Sequence, residues 1–312
     1  MSIEVIKGGM QTSIQDQGRH LCMQWGIAQG GAMDTLSMSI ANLLLGNCQH
    51  HPVLEICLMG PSLHFTTAIS IAICGAKFQL TVENKSGQRP VFNDQTINLS
   101  PGDTLHFGKR IEGARAYLAF AGQLTVSKIQ QSYATHFLAK FGGTHGRALV
   151  ADDRIELTNC ELRAAKQLQT KHQQHYSGKY LLRCIDGPEK ALFNKRQATA
   201  FYQTDYKVSN ASNRMGLRLD GLALEDMNFA DMTSSGLLPG SIQIPANGLP
   251  IISSVDGQTI GGYPRIANVI RADLFALGQL LAGDSIRFVQ VDLEQASTLY
   301  IDQQDWLATI CS

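Results

Sequence analysis

The chain has 312 residues, which at about 150 residues per domain argues for two domains. Hydrophobic residues make up 44% and charged residues 17%, and 26 Lys and Arg against 26 Asp and Glu leave no formal net charge. That balance argues against a disordered chain and against a nucleic-acid or anionic-membrane surface, and leaves room for a local basic patch.

Residues 1–10 contain Glu4, Lys7 and two glycines, so they lack the apolar core of a signal peptide. No stretch approaches the roughly 20 apolar residues of a membrane-spanning helix. Cys22, Cys48, Cys57, Cys74, Cys160, Cys184 and Cys311 are scattered without a Cys-x-x-Cys pair and read as reduced thiols of a cytoplasmic protein. Glycine recurs about every ten positions, separating short runs rich in Ile, Val, Leu, Phe and Thr, which is a mostly-β rhythm.

Thr12–Arg19 is a polar turn, and after Trp25 comes Gly30-Gly31-Ala32-Met33-Asp34; Gln15, Asp16, Arg19 and Asp34 could assemble at one pocket. Asp34 also suits a helix cap, because Leu36, Ile40, Leu43 and Leu44 then share a face that Gly46-Asn47 stops. Strands are expected at Ile69–Val82 and Arg115–Ala121. Gly142-Gly143-Thr144-His145-Gly146-Arg147 reads as a flexible loop, with an anion-binding turn as the alternative. All nine histidines lie in the first 175 residues, so proton transfer in the C-terminal half would fall to a carboxylate, lysine or tyrosine. His172 and His175 read as solvated residues, with metal ligation as the alternative.

Glu161–Gly178 is dominated by Gln, Lys and His, so the expected organisation is a domain over residues 1–165, a linker over 166–178 and a second domain over 179–312. Strands are expected there at Lys179–Ile185, Tyr206–Ser209, Ser241–Ile244 and Ser285–Val291. Pro188-Glu189 opens a helical segment running to about Phe201, and Asp273 is placed to cap another, Leu274–Leu281, ended by Gly283. Gly102-Asp103-Thr104-Leu105-His106-Phe107 echoes Gly283-Asp284-Ser285-Ile286-Arg287-Phe288, as an internal repeat or as two independent turn-to-strand junctions.

Several familiar sites are absent: no phosphate loop, no His-Glu-x-x-His zinc helix and no Gly-x-Ser-x-Gly elbow. Chemistry concentrates instead in Pro239–Pro264, where five glycines and four prolines shape two short apolar runs into successive turns. Gln243, Asp256, Gln258 and Tyr263 offer it amide, carboxylate and phenol groups for a small polar molecule, or serve to satisfy turn amides. Upstream, Arg214 and Arg218 present planar forks suited to carboxylate or phosphate, with pairing to Asp220 or Asp226 as the structural alternative.

Thr12–Arg19, Gly31–Asp34, Ala41–Asn47, Leu54–Pro61, Ser212–Leu219, Pro239–Pro245 and Gln258–Pro264, taken in order, resemble the allophanate hydrolase subunit 2 family, which includes the C subunit of 5-oxoprolinase and KipI-antagonist proteins. The resemblance implies a mainly β protein with a few short helices, of cyclophilin-like β-barrel architecture in two subdomains. It implies two partners, the KipI-like B subunit of a heteromer and its A subunit, with 5-oxoproline as substrate, and ATP with Mg at the level of the complex. In that reading Arg214, Arg218, Gln243, Gln15, Asp16 and Arg19 bind substrate or phosphate, and Asp256, Gln258 and Tyr263 carry catalysis. The alternatives are a carboxyltransferase subunit related to urea amidolyase, or a KipI-antagonist regulatory protein. Without a Met-Lys-Met motif, any biotin would sit on a partner. Two stretches depart from the family pattern: Gln130–Thr135 stands where a Gly-Ser-Arg-Ser-Thr-like run is usual, and Ser234-Ser235-Gly236 where Ser-Glu-Gly is usual.

Overall fold

A computed structural model describes residues 1–225 and 232–310. The chain divides into two compact units, one of Met1–Arg19, Gly30–Tyr176 and the C-terminal residues from Leu307, the other of His20–Gln29 and Ser177–Trp306. In the first, β1 (Ser2–Lys7), β2 (Gln11–Gln15), β3 (Val53–Cys57), β4 (Ser62–Phe65), β5 (Ile69–Asn84), β6 (Gly87–Val91), β7 (Thr96–Leu99), β8 (Thr104–Phe120), β9 (Gln123–Leu124) and β10 (Arg154–Thr158) form one antiparallel sheet. Its long strands β5 and β8 pair along most of their length, and Leu54, Ile56, Ile71, Ile73, Leu118 and Phe120 bury one face in a common core. Each such side chain contributes about 1.5–3 kcal/mol on burial.

Helix α1 (Thr35–Leu44) lies against β5 and β8. Asp34 is its cap: one carboxylate oxygen accepts the Ser37 amide at 2.8 Å and the other the Ser37 hydroxyl at 2.6 Å. Segment 161–168 runs along the sheet, with the Ser70 amide donating to the Glu161 carbonyl, Thr96 to Lys166 and Leu168 to Asp94.

In the second unit β11 (Lys179–Asp186), β12 (Tyr206–Val208), β13 (Gly216–Asp220), β15 (Ser241–Gln243), β16 (Ile251–Ser253), β18 (Arg265–Val269) and β19 (Ser285–Gln290) close a barrel in the order β11-β18-β15-β16-β13-β12-β19. The remaining strands of this unit, β14 (Ser235–Gly236) and β17 (Ile260–Gly261), pair as a separate ribbon. Leu182, Tyr206, Leu219, Ile242, Ile252, Ile286 and Phe288 fill the barrel, and Phe201 stacks on Phe288 at 4.6 Å. The expected strands are thus present, and the mainly β barrel architecture with them.

Three expectations differ from what is observed. The segment opened by Pro188-Glu189 breaks in two: a 3-10 turn at Lys190–Leu192, then α2 (Lys195–Gln203), which starts at an Asn194–Gln197 capping box. Asp273 caps nothing; it lies inside a 3-10 stretch, Arg271–Gln279, and its carboxylate binds the Arg183 amide at 2.8 Å and the Arg183 guanidinium. Helices are not all short, because α3 (Leu293–Ile310) runs for 18 residues. Gly142–Arg147 is a loop, as expected, and it is closed on its own neighbours: Gly143 donates to Tyr133, Gly146 to Gly142, and Arg147 is held by both oxygens of Asp153 at 2.6 and 2.8 Å.

The echoed junctions share their geometry. Gly102 and Gly283 have φ of 92° and 90°, and the next residue, Asp103 or Asp284, accepts the amide three residues earlier at 3.0 or 2.8 Å. Asp152-Asp153 repeats the device before β10, with φ of 70° at Asp152 and the Val150 amide on Asp153 at 2.8 Å. Three occurrences, one outside the echo, favour recurring turn chemistry over an internal repeat.

Candidate functional site

On the barrel, Arg218 of β13 pairs with Ile251 of β16, Ile251 with Gln243 of β15, and Gln243 with Arg265 of β18. Cross-strand partners share a face, so these four residues form a row, and with Leu217, Leu219, Ile242 and Ile252 pointing into the core the row lies outside the barrel. Arg218 is exposed at one end, and among the described residues its guanidinium makes no hydrogen bond or ion pair. Arg265 stands at the other.

The β14–β17 ribbon covers the middle of this row. Gln243 is only 8% exposed, and its amide nitrogen donates to the Tyr263 carbonyl at 3.3 Å. A Cβ on Gly261 would lie 2.5 Å from that same nitrogen, so a larger residue there would push the Gln243 amide aside. Gln258 and Tyr263, at the two ends of the ribbon's second strand, are exposed, Tyr263 by 50%. Arg218, Gln243, Gln258 and Tyr263 thus come from the three sequence stretches expected to build a site, and the barrel register and ribbon bring those stretches together.

Arg214 and Asp256 do something different. Each side chain is 6% exposed, and the guanidinium grips the carboxylate at 2.7 Å (Nε to Oδ2) and 3.2 Å (Nη2 to Oδ1). The Asp256 amide donates to the Arg214 carbonyl at 2.9 Å and the Ser254 amide to Met215 at 3.1 Å, so the pair fastens the 254–257 turn to the 213–216 turn. Asp220 is not the partner of Arg214, and Asp226 lies outside the described residues.

In the first unit Gln15, Asp16 and Arg19 converge on one segment, Ser132–Thr135. Gln15 donates to the Thr135 carbonyl at 3.3 Å, and Arg19 donates to the Ala134 carbonyl while lying 4.6 Å over the Phe141 ring. Asp16 accepts the Ser132 hydroxyl at 2.6 Å, the Tyr133 amide at 2.7 Å and the Gly18 amide at 2.8 Å. All three side chains are buried. What they hold is the stretch at which the sequence departs from the family pattern.

Sequence reasoning missed a second polar group in this unit. Register aligns Ser13, Glu55, Tyr117 and Cys74 across β2, β3, β8 and β5. The Tyr117 hydroxyl donates to Glu55 at 2.8 Å and accepts the Asp34 amide at 2.8 Å, while the Met33 amide donates to the same Glu55 oxygen at 2.8 Å. Arg115 lies 3.6 Å from the other. Burial, and then the negative charges of Glu55 and Asp34, push the Tyr117 phenol well above its ordinary pKa, so it stays a proton donor. Burial, and then Asp94, raise the Cys74 thiol likewise. The group pins the loop that ends at Asp34. Its sequence signal was a lone carboxylate, Glu55, inside an otherwise apolar run.

A shallow depression of about 610 Å3 beside β11 and β19, lined by Ile185, Asp186, Gln290, Val291, Asp292, Leu293 and Gln295, contains none of the expected site residues. Among the described residues no three His, Cys, Asp or Glu side chains are placed to hold a metal ion, and His175 lies 3.4 Å from Glu112. The described cysteines are free, and Cys311 lies outside the described residues. No helix among the described residues is long and apolar enough to cross a membrane.

Comparison with known proteins gives concordant results. The family model for the carboxyltransferase domain, subdomain A and B, matches residues 25–290. The chain is 36% identical over 302 residues to the C subunit of 5-oxoprolinase from Escherichia coli (strain K12), covering 97% of this chain and 95% of the relative. Against the C subunit of 5-oxoprolinase from Haemophilus influenzae identity is 32% over 308 residues, covering 96% of this chain and 97% of the relative. The crystal structure of the K. lactis urea amidolyase matches with a TM-score of 0.90 at 28% identity, over 99% of this chain but 20% of that one.

Proposed function

The chain belongs to the carboxyltransferase-domain family, and from that premise we propose that it is the C subunit of an ATP-dependent 5-oxoprolinase, which opens 5-oxo-L-proline to L-glutamate together with its A and B partners. One observation carries the reading: the relatives named as the C subunit of 5-oxoprolinase align over 95% and 97% of their own length, whereas the urea amidolyase aligns over 20% of its own.

A five-membered lactam is a poor electrophile, because amide resonance protects its carbonyl. ATP, bound at the level of the complex, would supply a phosphoryl group to the carbonyl oxygen; water would then add to the carbonyl carbon, the ring C–N bond would break with the nitrogen taking a proton, and the phosphate would leave, with a second water, as inorganic phosphate. This chain's part is to bind and orient. Arg214 and Arg19 are already engaged, so Arg218 is the arginine that meets the substrate carboxylate. Gln258 and Tyr263 bring amide and phenol groups to the same face, and Gln243 holds the Tyr263 backbone in place. Asp256 acts through Arg214, as a fastening for the 254–257 turn rather than as a base. Magnesium would enter with the nucleotide, and the complex works in a reducing, cytoplasmic compartment.

The test is ATP-dependent glutamate release by the co-purified A, B and C subunits. Arg218→Ala should raise KM for 5-oxoproline by about tenfold, the loss of one charge-assisted contact. An unchanged KM removes Arg218 from the site, and a complex that releases no glutamate removes the function. The likeness to urea amidolyase favours a second reading, carboxyl transfer to a small amide, which would give urea-dependent turnover only with a biotin-carrying partner.

A further inference from the structure

Arg265 ends the outer row of the barrel, and its guanidinium is shared three ways. Nε lies 2.7 Å from Glu189, Nη2 binds the same carboxylate and the Ser235 hydroxyl at 2.9 Å, and Nη1 donates to the Gly236 carbonyl. The Arg265 amide adds a bond to Glu189 at 3.1 Å. Glu189 belongs to the turn before Lys190–Leu192, whereas Ser235 and Gly236 are strand β14. One side chain therefore ties the ribbon's first strand to the barrel wall.

We infer that Arg265 is a positioning residue for the reaction proposed above, acting through the β14–β17 ribbon it fastens. The ribbon has two residues per strand, and a pair so short does not hold its own geometry in water. Gln243 under β17 and Arg265 under β14 supply what the pairing lacks. Because β17 lies between Gln258 and Tyr263, the orientation of both exposed side chains follows from the ribbon's seat. A planar fork is needed, since it must reach a carboxylate, a hydroxyl and a carbonyl at once. Ser235, standing where the family pattern has Glu, contributes a neutral acceptor and leaves Glu189 as the carboxylate that neutralises Arg265.

The inference rests on the 5-oxoprolinase reading for its chemistry but not for its mechanics, and the test separates the two. Hydrogen exchange of the full chain reads the ribbon at the Leu237 amide, which donates to Thr259 at 2.9 Å, with the Leu219 amide, bonded to Pro250 at 3.0 Å, as the barrel control. Arg265→Gln and Glu189→Gln should each speed exchange at Leu237 about tenfold and leave Leu219 unchanged. In the A, B and C complex, Arg265→Gln should lower kcat about tenfold with KM moving less than about threefold, since the contacting groups remain and only their geometry loosens. Arg265→Lys, which keeps the charge and loses the fork, should recover part of both losses. Native exchange at Leu237 in the Gln variants overturns the fastening, and a loosened ribbon with full kcat overturns the positioning role. A wild-type complex inert towards 5-oxoproline refutes the function itself, while exchange at Leu237 still judges the fastening.

Discussion

Asp256→Ala is the substitution whose cost the structure specifies most directly. Both members of the Arg214–Asp256 pair are 6% exposed, so removing the carboxylate takes two charge-assisted bonds from a guanidinium where water cannot replace them. Breaking a buried pair in this way costs about 3–5 kcal/mol. At roughly 2–4 °C per kcal/mol for a unit of this size, the second unit should melt about 6–20 °C lower. The double variant Arg214→Met with Asp256→Leu removes both charges at similar volume and should recover all but about 1–2 kcal/mol of the loss. Both tryptophans, Trp25 and Trp306, belong to this unit, so thermal unfolding followed by tryptophan fluorescence reads it selectively. A single variant costing under about 1 kcal/mol, or a double variant no better than the single, refutes the account.

Other outcomes follow from the same reasoning. Tyr117→Phe should destabilise the first unit by about 1–3 kcal/mol in urea unfolding, because it leaves the buried Asp34 amide without its acceptor. Gly31→Ala should cost several times more than Gly46→Ala: both have positive φ, but a Cβ at 31 would lie 2.6 Å from the Gly18 nitrogen and one at 46 meets nothing within 4 Å. Strain alone at 46 is worth about 1 kcal/mol, which circular dichroism melts can resolve from the larger loss. Arg265 holds Glu189 below its ordinary pKa, so this pair stabilises the fold above about pH 4.5 and that stability is lost as pH falls through the lowered value. Glu189→Gln should therefore flatten the acid side of the stability profile, measured by urea titrations between about pH 3 and pH 5.

Much of the fold was legible because it is written in local signals. Ile69–Val82 and Ser285–Val291 carry β-branched runs bounded by turns, and Asp34 before an amphipathic stretch can be read as a cap without knowing what the helix covers. Side chains whose partners are distant in sequence were misread. Asp273 looked like a cap because its true partner, Arg183, is 90 residues away. The 18 residues of α3 escaped because Leu307 is its one buried side chain among the described residues, so there is no apolar stripe to recognise. For the candidate site, the glycine and proline density of Pro239–Pro264 and the two arginines upstream pointed to segments that the barrel register and the ribbon bring close together. Sequence could not separate Arg214 from Arg218, four residues apart, because burial decides which of them is engaged: Arg214 lies buried in the turn and Arg218 exposed on β13.

Strands β11 and β19, the first and last of the barrel, run parallel, with Lys179 opposite Ser285 and Cys184 opposite Gln290, and β19 also pairs with β12. A ribosome making this protein must therefore deliver residue 290 before the ring can shut. Until then two strand edges stay bare, each an invitation to a neighbouring copy. Messages cut short before Ser285 should yield aggregates where the whole chain yields dissolved protein.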